Sequence, residues 1–232
     1  MRTQTSAIAI SLLTAAMLSV SCSSDDDDDT TESPSWVGQT FVLNVPAASW
    51  YEPEGISSDL GGFVPQFAIQ INGESGGNLD VMLGTADATG AQEMCNPTTT
   101  TTATASYPNV QIGPVDFPIY LKHAREDIAV NATVYGLTIT NVLPDGDTVA
   151  TAGELVATLD TRDVHSMFTL LGDNPTADDV CNALGNMGIS CEPCPADQQV
   201  YCLTMKARRL GATEGQPIQA VDAGSVPTTC IP

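Results

Sequence analysis

Four of the chain's seven cysteines crowd into one stretch, Cys181, Cys191, Cys194 and Cys202, and chemistry-bearing side chains are densest there. Cysteine sulfur supports three kinds of site. A structural zinc centre needs thiolates in closely spaced pairs. Here only Cys191-Glu192-Pro193-Cys194 is such a pair, and its partners stand alone. A redox dithiol needs a Cys-x-x-Cys at a helix N-terminus in a βαβ setting, where the helix dipole lowers the thiol pKa. Pro195 follows this pair, and no parallel β unit is evident around it. Structural disulfides need an even count and an oxidising compartment. Cys95 and Cys230 bring the set to six. On this reading a Cys181–Cys202 bridge would pin a helix to a strand, and Cys95–Cys230 would join the middle of the chain to its end. Spacing alone leaves the other connectivities open.

The remaining reactive types form no comparable group. His123 lies beside Arg125, Glu126 and Asp127, and His165 sits in a helical stretch; neither has a second histidine or cysteine at ligand spacing. Gly73-Glu74-Ser75-Gly76-Gly77 has the wrong order for a nucleophile elbow and reads as a turn. Phosphate loops and dinucleotide fingerprints are absent from the sequence. Asp145-Gly146-Asp147 and the group Asp173, Asp178 and Asp179 lack the spacing of a calcium loop and suit turn and cap duty. No catalytic residue, metal ligand or cofactor is assigned. One loop offers a ligand rim: Trp50 and Tyr51 are adjacent in a chain with only two tryptophans and five tyrosines, and Glu52 and Glu54 add acceptors beside them. The competing role for Trp50 is to plug one end of the β structure.

The N-terminal residues bear on compartment. Arg2 precedes an apolar run from Ala7 to Val20, shorter than the roughly 20 residues that cross a bilayer as a helix. Small residues then lead to Cys22. Met1 to Cys22 resembles a bacterial lipoprotein signal, with Ser21 in the last position before the cysteine and Ser19, rather than leucine, three before it. The resemblance implies cleavage after residue 21 and a lipidated Cys22, which leaves six cysteines for three disulfides. Ser23-Ser24 and Asp25 to Asp29 are similar to the acidic tag of some surface-exposed Gram-negative lipoproteins. The stretch 22–35 is therefore expected to be a disordered acidic tether, reaching at most about 40 Å. The implied address is the outer membrane, on its cell-surface or periplasmic face, with the bilayer as partner through Cys22.

The elements that would position these groups lie in one domain, 36–232. Gln39 to Val45, Phe67 to Ile71 and Leu79 to Leu83 alternate in the manner of half-buried strands. Trp50 to Gly55 reads as a loop, Ile56 to Phe63 as a short helical turn, and Thr98 to Thr104 as an exposed edge strand. Asp116 to Leu121 is a further strand, and Val130 to Val142 forms a hairpin with Thr148 to Leu159 around Pro144-Asp145-Gly146-Asp147. The period then changes. Val164, Met167, Phe168 and Leu171 have helical spacing behind a cap at Asp160 or Thr161. Thr176-Ala177-Asp178-Asp179 is a capping box for a second helix with a Val180, Cys181, Leu184, Met187 stripe. Val200 to Ala207, and a further strand at Ile218 to Val221, close the chain. The expected class is mainly β: an antiparallel sandwich or barrel, disulfide-bonded, with two short helices inserted before the C-terminal strands. Trp36-Val37-Gly38 holds the Gly-x-Trp opening of lipocalins in reversed order, which assigns no family.

Charge narrows the partners. Of 28 acids six precede Trp36, and of seven bases only Arg2 does, so the domain carries 22 acids against six bases, a net charge of −16. Nucleic acid is excluded as a default partner because its phosphates would be repelled. The expectation is a lipid-anchored envelope or cell-surface protein, a non-enzymatic binding or structural module. An alternative is a carrier holding a small apolar or sugar ligand within its β structure. A weaker one is a secreted hydrolase using paired carboxylates.

Overall fold

Side chains alternate across a strand, so Phe41, Leu43 and Val45 share one face, and all three are buried. The same alternation recurs round the whole domain. The computed structural model describes residues 36–54, 64–106, 109–122, 128–141, 153–225 and 230. Their strands are β1 (Thr40–Leu43), β2 (Ser49–Glu52), β3 (Gln66–Ser75), β4 (Asn78–Ala86), β5 (Thr99–Ser106), β6 (Asn109–Lys122), β7 (Ala129–Thr140) and β8 (Gly153–Asp160). Helices α1 (Thr161–Val164) and α2 (Ala177–Asn186) follow, then β9 (Glu192–Pro193), β10 (Val200–Leu210) and β11 (Ala212–Glu214). The expected lipidation position Cys22 with the expected leader and tether, the expected turns at 56–63 and 144–147, and His123 lie outside the described residues.

Every pairing is antiparallel, in the order β11-β1-β3-β4-β5-β6-β7-β8-β10-β2, with β9 beside β10. The two ends of this path are not independent edges. β1 and β2 are parts of one bent segment, and β10 and β11 are parts of another. β1 pairs β11 at Leu43 with Ala212. β2 pairs β10 at Trp50 with Ala207. Between them the Asn44 N–H donates to the Gly211 carbonyl at 3.0 Å. The sheet therefore curls until its first and last segments meet, and of the sandwich and the barrel it takes the barrel's form. One apolar cluster fills the concave side, from Phe41 and Leu43 through Ile69, Leu83, Phe117 and Ile139 to Leu210.

β5 is not the expected edge strand: it lies between β4 and β6. It pairs β6 only from Ala103 to Ser106, however. Beyond Ile112 the register of β6 shifts against β7 on either side of Val115. Gly113 sits at this irregularity with φ +84°, and a Cβ there would lie 2.1 Å from the Leu137 carbonyl oxygen, so the approach requires glycine. The Tyr120 N–H, on the part of β6 past the β5 pairing, is taken by the buried Asn96 side chain.

Two small layers lie beside the main cluster, the first of them on the convex side. Val42, Ala68, Met82 and Ala86 are covered by Ile218 of the C-terminal tail. The tail is not a strand; side chains hold it. Gln92 exchanges two 2.7 Å hydrogen bonds with the Gln219 backbone, and the Gln70 amide oxygen takes the Ile218 N–H. Elsewhere α2 buries Val180 and Leu184 against Leu203 of β10. Its capping box is present in both directions: Asp179 N–H to Thr176 Oγ1 at 3.2 Å, and Thr176 N–H to Asp179 Oδ2 at 2.9 Å. The first helical stretch is shorter than its periodicity suggests. α1 is a single turn capped by Asp160, followed by 3₁₀ turns at His165–Met167 and Thr169–Leu171 that end at Gly172.

The six cysteines pair as Cys95–Cys230, Cys181–Cys191 and Cys194–Cys202. The expected Cys181–Cys202 bridge is corrected: β9 brings Cys194 alongside β10, where Cys202 faces it, and Cys191 is left to reach α2. The helix is thus tied to the strand through the Cys191-Glu192-Pro193-Cys194 link rather than directly.

Candidate functional site

A cavity of about 70 Å³ opens inside one end of the curled sheet. The strands supply Trp50, Phe67, Leu137, Leu155 and Met205 to its wall, and the α1 segment covers it with Val164, Met167 and Phe168. Helical spacing presents Val164, Met167 and Phe168 to the same side, even though 3₁₀ turns replace a longer helix. Asp160 fixes where that segment begins, since its Oδ1 accepts the Arg162 N–H at 2.9 Å. Asp163 in the first turn accepts the Thr133 N–H of β7 at 3.3 Å, which ties the segment across the sheet end.

Among the described residues, only apolar atoms face the cavity. The Trp50 ring lines it, but the indole Nε1 is buried and without a hydrogen-bond partner among the described residues. Such an orphan donor costs about 1–3 kcal/mol. His165 Nδ1 is likewise buried and unpartnered.

The expected rim separates into two faces. Trp50 to Glu52 is a strand rather than a loop, so Trp50 points inward and Tyr51 outward. The Tyr51 ring lies under the Arg208 guanidinium, 5.4 Å from it, and Glu52 pairs with Lys206 on β10. Glu52 accordingly raises the Lys206 pKa. Glu54 is exposed beyond them. Of the four, Trp50 alone lines the cavity. The missed signal was period two through Ser49-Trp50-Tyr51-Glu52.

A polar cluster flanks the same segment on its outer side. Arg162 grips the buried Asp160 with two prongs, Nε to Oδ1 at 2.9 Å and Nη2 to Oδ2 at 2.5 Å. Its third nitrogen reaches Asp197 at 2.6 Å, and its guanidinium lies 5.2 Å from the centre of the Tyr201 ring. These bonds raise the Arg162 pKa and hold Asp197 below its ordinary value. Tyr201 donates to Asp178 at 2.9 Å, which raises the phenol's pKa. Asp163, partly buried, is pushed up by desolvation. Asp160, Cys194 and Cys202 converge closely enough for metal ligation, but both sulfurs are spent in their disulfide and offer no thiolate. On the outer face, a shallow hollow over Asn72, Asp80 and Thr100 to Thr102 is lined by short polar side chains and holds no aromatic ring on which a sugar would stack. Set against protein-family models, curated proteins and solved structures, the chain matches none.

Proposed function

We propose that this protein is an exported, lipid-anchored, non-catalytic binding module that takes a small apolar ligand into the end of its curled sheet. The observation that carries the reading is the lining of the cavity: strands and helical segment converge on it, and only apolar atoms face it. An apolar concavity with no competing polar group gains free energy by exchanging water for hydrocarbon. The titratable groups with displaced pKa, Asp163, Asp197 and Glu93 among them, do not line it. That arrangement favours binding over acid–base chemistry. The anchor rests on Met1 to Cys22 and the acidic stretch after it, which would hold the domain near the outer membrane.

Trp50 supplies the test. Titration with n-hexanol is expected to change tryptophan emission saturably, and Trp50→Phe is expected to abolish the change while Trp36 still reports a folded protein. A titration with no saturable response, together with no heat of binding, would overturn the reading. The anchor is tested separately by the mass of the membrane-extracted protein, where a chain starting at Cys22 without acyl groups would refute it.

A further inference from the structure

We infer that the ligand of this cavity is the methyl end of a single, uncharged, unbranched alkyl chain, and that the rest of the chain leaves past Phe168 across Leu170 and Leu171. The inference rests on the binding reading above and names its ligand class. Size decides between a ring and a chain. The cavity of about 70 Å³ is half of the ~150 Å³ that accepts a benzene ring, and far below the ~300 Å³ at which pockets for whole small molecules begin. A chain end fits that space, and a ring does not.

Polarity decides which end enters. Among the described residues no polar atom faces the cavity, so a head group drawn inside would lose its hydrogen bonds to water and gain none there. The head stays outside. Charge then decides what kind of head is tolerated. The domain is strongly acidic, and Arg162, the permanently charged base on the covering segment, is already bound by Asp160 and Asp197, while the His165 Nδ1 on the same segment is buried. A carboxylate or phosphate head would find repulsion rather than a partner.

The route follows from the same segment. Phe168 lines the cavity and is half-buried. Two and three residues on, Leu170 is 100% exposed and Leu171 41%. Single exposed leucines need no explanation. Here, however, two adjacent ones stand two and three positions after Phe168, on the same segment that forms the cavity wall.

The test uses the full chain and n-alkanols of increasing length, with benzene and the matching alkanoates as controls. Affinity is expected to rise about fourfold per methylene, to continue rising after the cavity is filled, and to fall at least tenfold when the hydroxyl is replaced by carboxylate. Leu170→Ser with Leu171→Ser is expected to leave butanol binding unchanged and to remove the gain for the longer alcohols. Leu170→Ser alone, at a fully exposed position, gives half of that loss if the double variant is unstable. Failure of every alcohol and of benzene to bind would sink the binding reading itself. Benzene binding as tightly as butanol, alkanoates matching alkanols, or a length dependence untouched by the serine variants would each overturn the inference and leave the binding reading standing.

Discussion

The main core and the thin layers added to it are stabilised by different means. Inside, a single apolar cluster runs from β1 to β11 and includes the edge-on pair Phe67 and Phe117, 5.5 Å between ring centres. Beside it, two clusters of four or five residues lie beneath the tail, on the convex side, and beneath α2, against Leu203 of β10. Burial of so few side chains does not offset the entropy of ordering a tail and a short helix. At those two places the chain adds covalent links: Cys95–Cys230 for the tail, and the two other bridges for α2 and β9. The comparison teaches that an outer layer too thin to hold itself by burial is held by disulfides.

The largest effect that would break this comparison is loss of the tail's staple. Cys95 and Cys230 are separated by 135 residues, and closing so long a loop is worth about 5 kcal/mol by chain entropy. Cys95→Ala with Cys230→Ala should lower the urea midpoint accordingly; a change under about 1 kcal/mol would mean that Gln70, Gln92 and Thr98 hold the tail unaided. Next comes the inside. Phe117→Ala should cost about 3–5 kcal/mol and unfold all strands together in hydrogen exchange.

The short bridges should cost about 2.5 kcal/mol each, with separations of 10 and 8 residues, and their loss should raise exchange in α2 while the strands of the sheet stay protected. They also differ in access. Cys194 and Cys202 are fully buried, whereas Cys181 and Cys191 are half-exposed, so mild reductant with alkylation should label the second pair first. Labelling of both at one rate would show that the whole outer layer opens as a unit.

Smaller still is a pH effect at Glu93, whose pKa is raised chiefly by burial. A carboxyl that is easier to protonate in the folded state costs stability as pH rises from the ordinary glutamate range through the raised value. Glu93→Gln should therefore flatten stability across that window and raise it at pH 7. Asp197 works in the opposite sense. Arg162 depresses its pKa, so its contribution is present above the ordinary aspartate range and is lost only as acid reaches the depressed value. Smallest is Lys206→Met on the exposed face of β10, for which no measurable change in midpoint is expected.

Much of the inside was legible in the sequence because period two reports one buried face. Phe67, Ile69 and Ile71 announce β3, and the box from Thr176 to Asp179 announces α2. The cavity was not legible. Its walls come from β2, β3, β6, β7, β8, β10 and the α1 segment, and no local spacing records that such distant residues meet. The disulfide pairing was half legible, since the Cys191-Glu192-Pro193-Cys194 spacing invites a shared site, while β9 divides its two cysteines between different partners. Trp50 drew attention for its type, and its partner Tyr51 proved to lie on the opposite face because the stretch is extended.

The meeting of the first and last segments has a consequence in time. β1 and β2 complete their pairing only when β10 and β11 arrive, and Phe41 lies opposite Glu214. One side of β1 stays unpaired until residues about 170 positions later are in place. The final step of assembly is therefore set by delivery of the last strand, and a truncation that stops short of Val200 would strand the molecule as an unclosed intermediate.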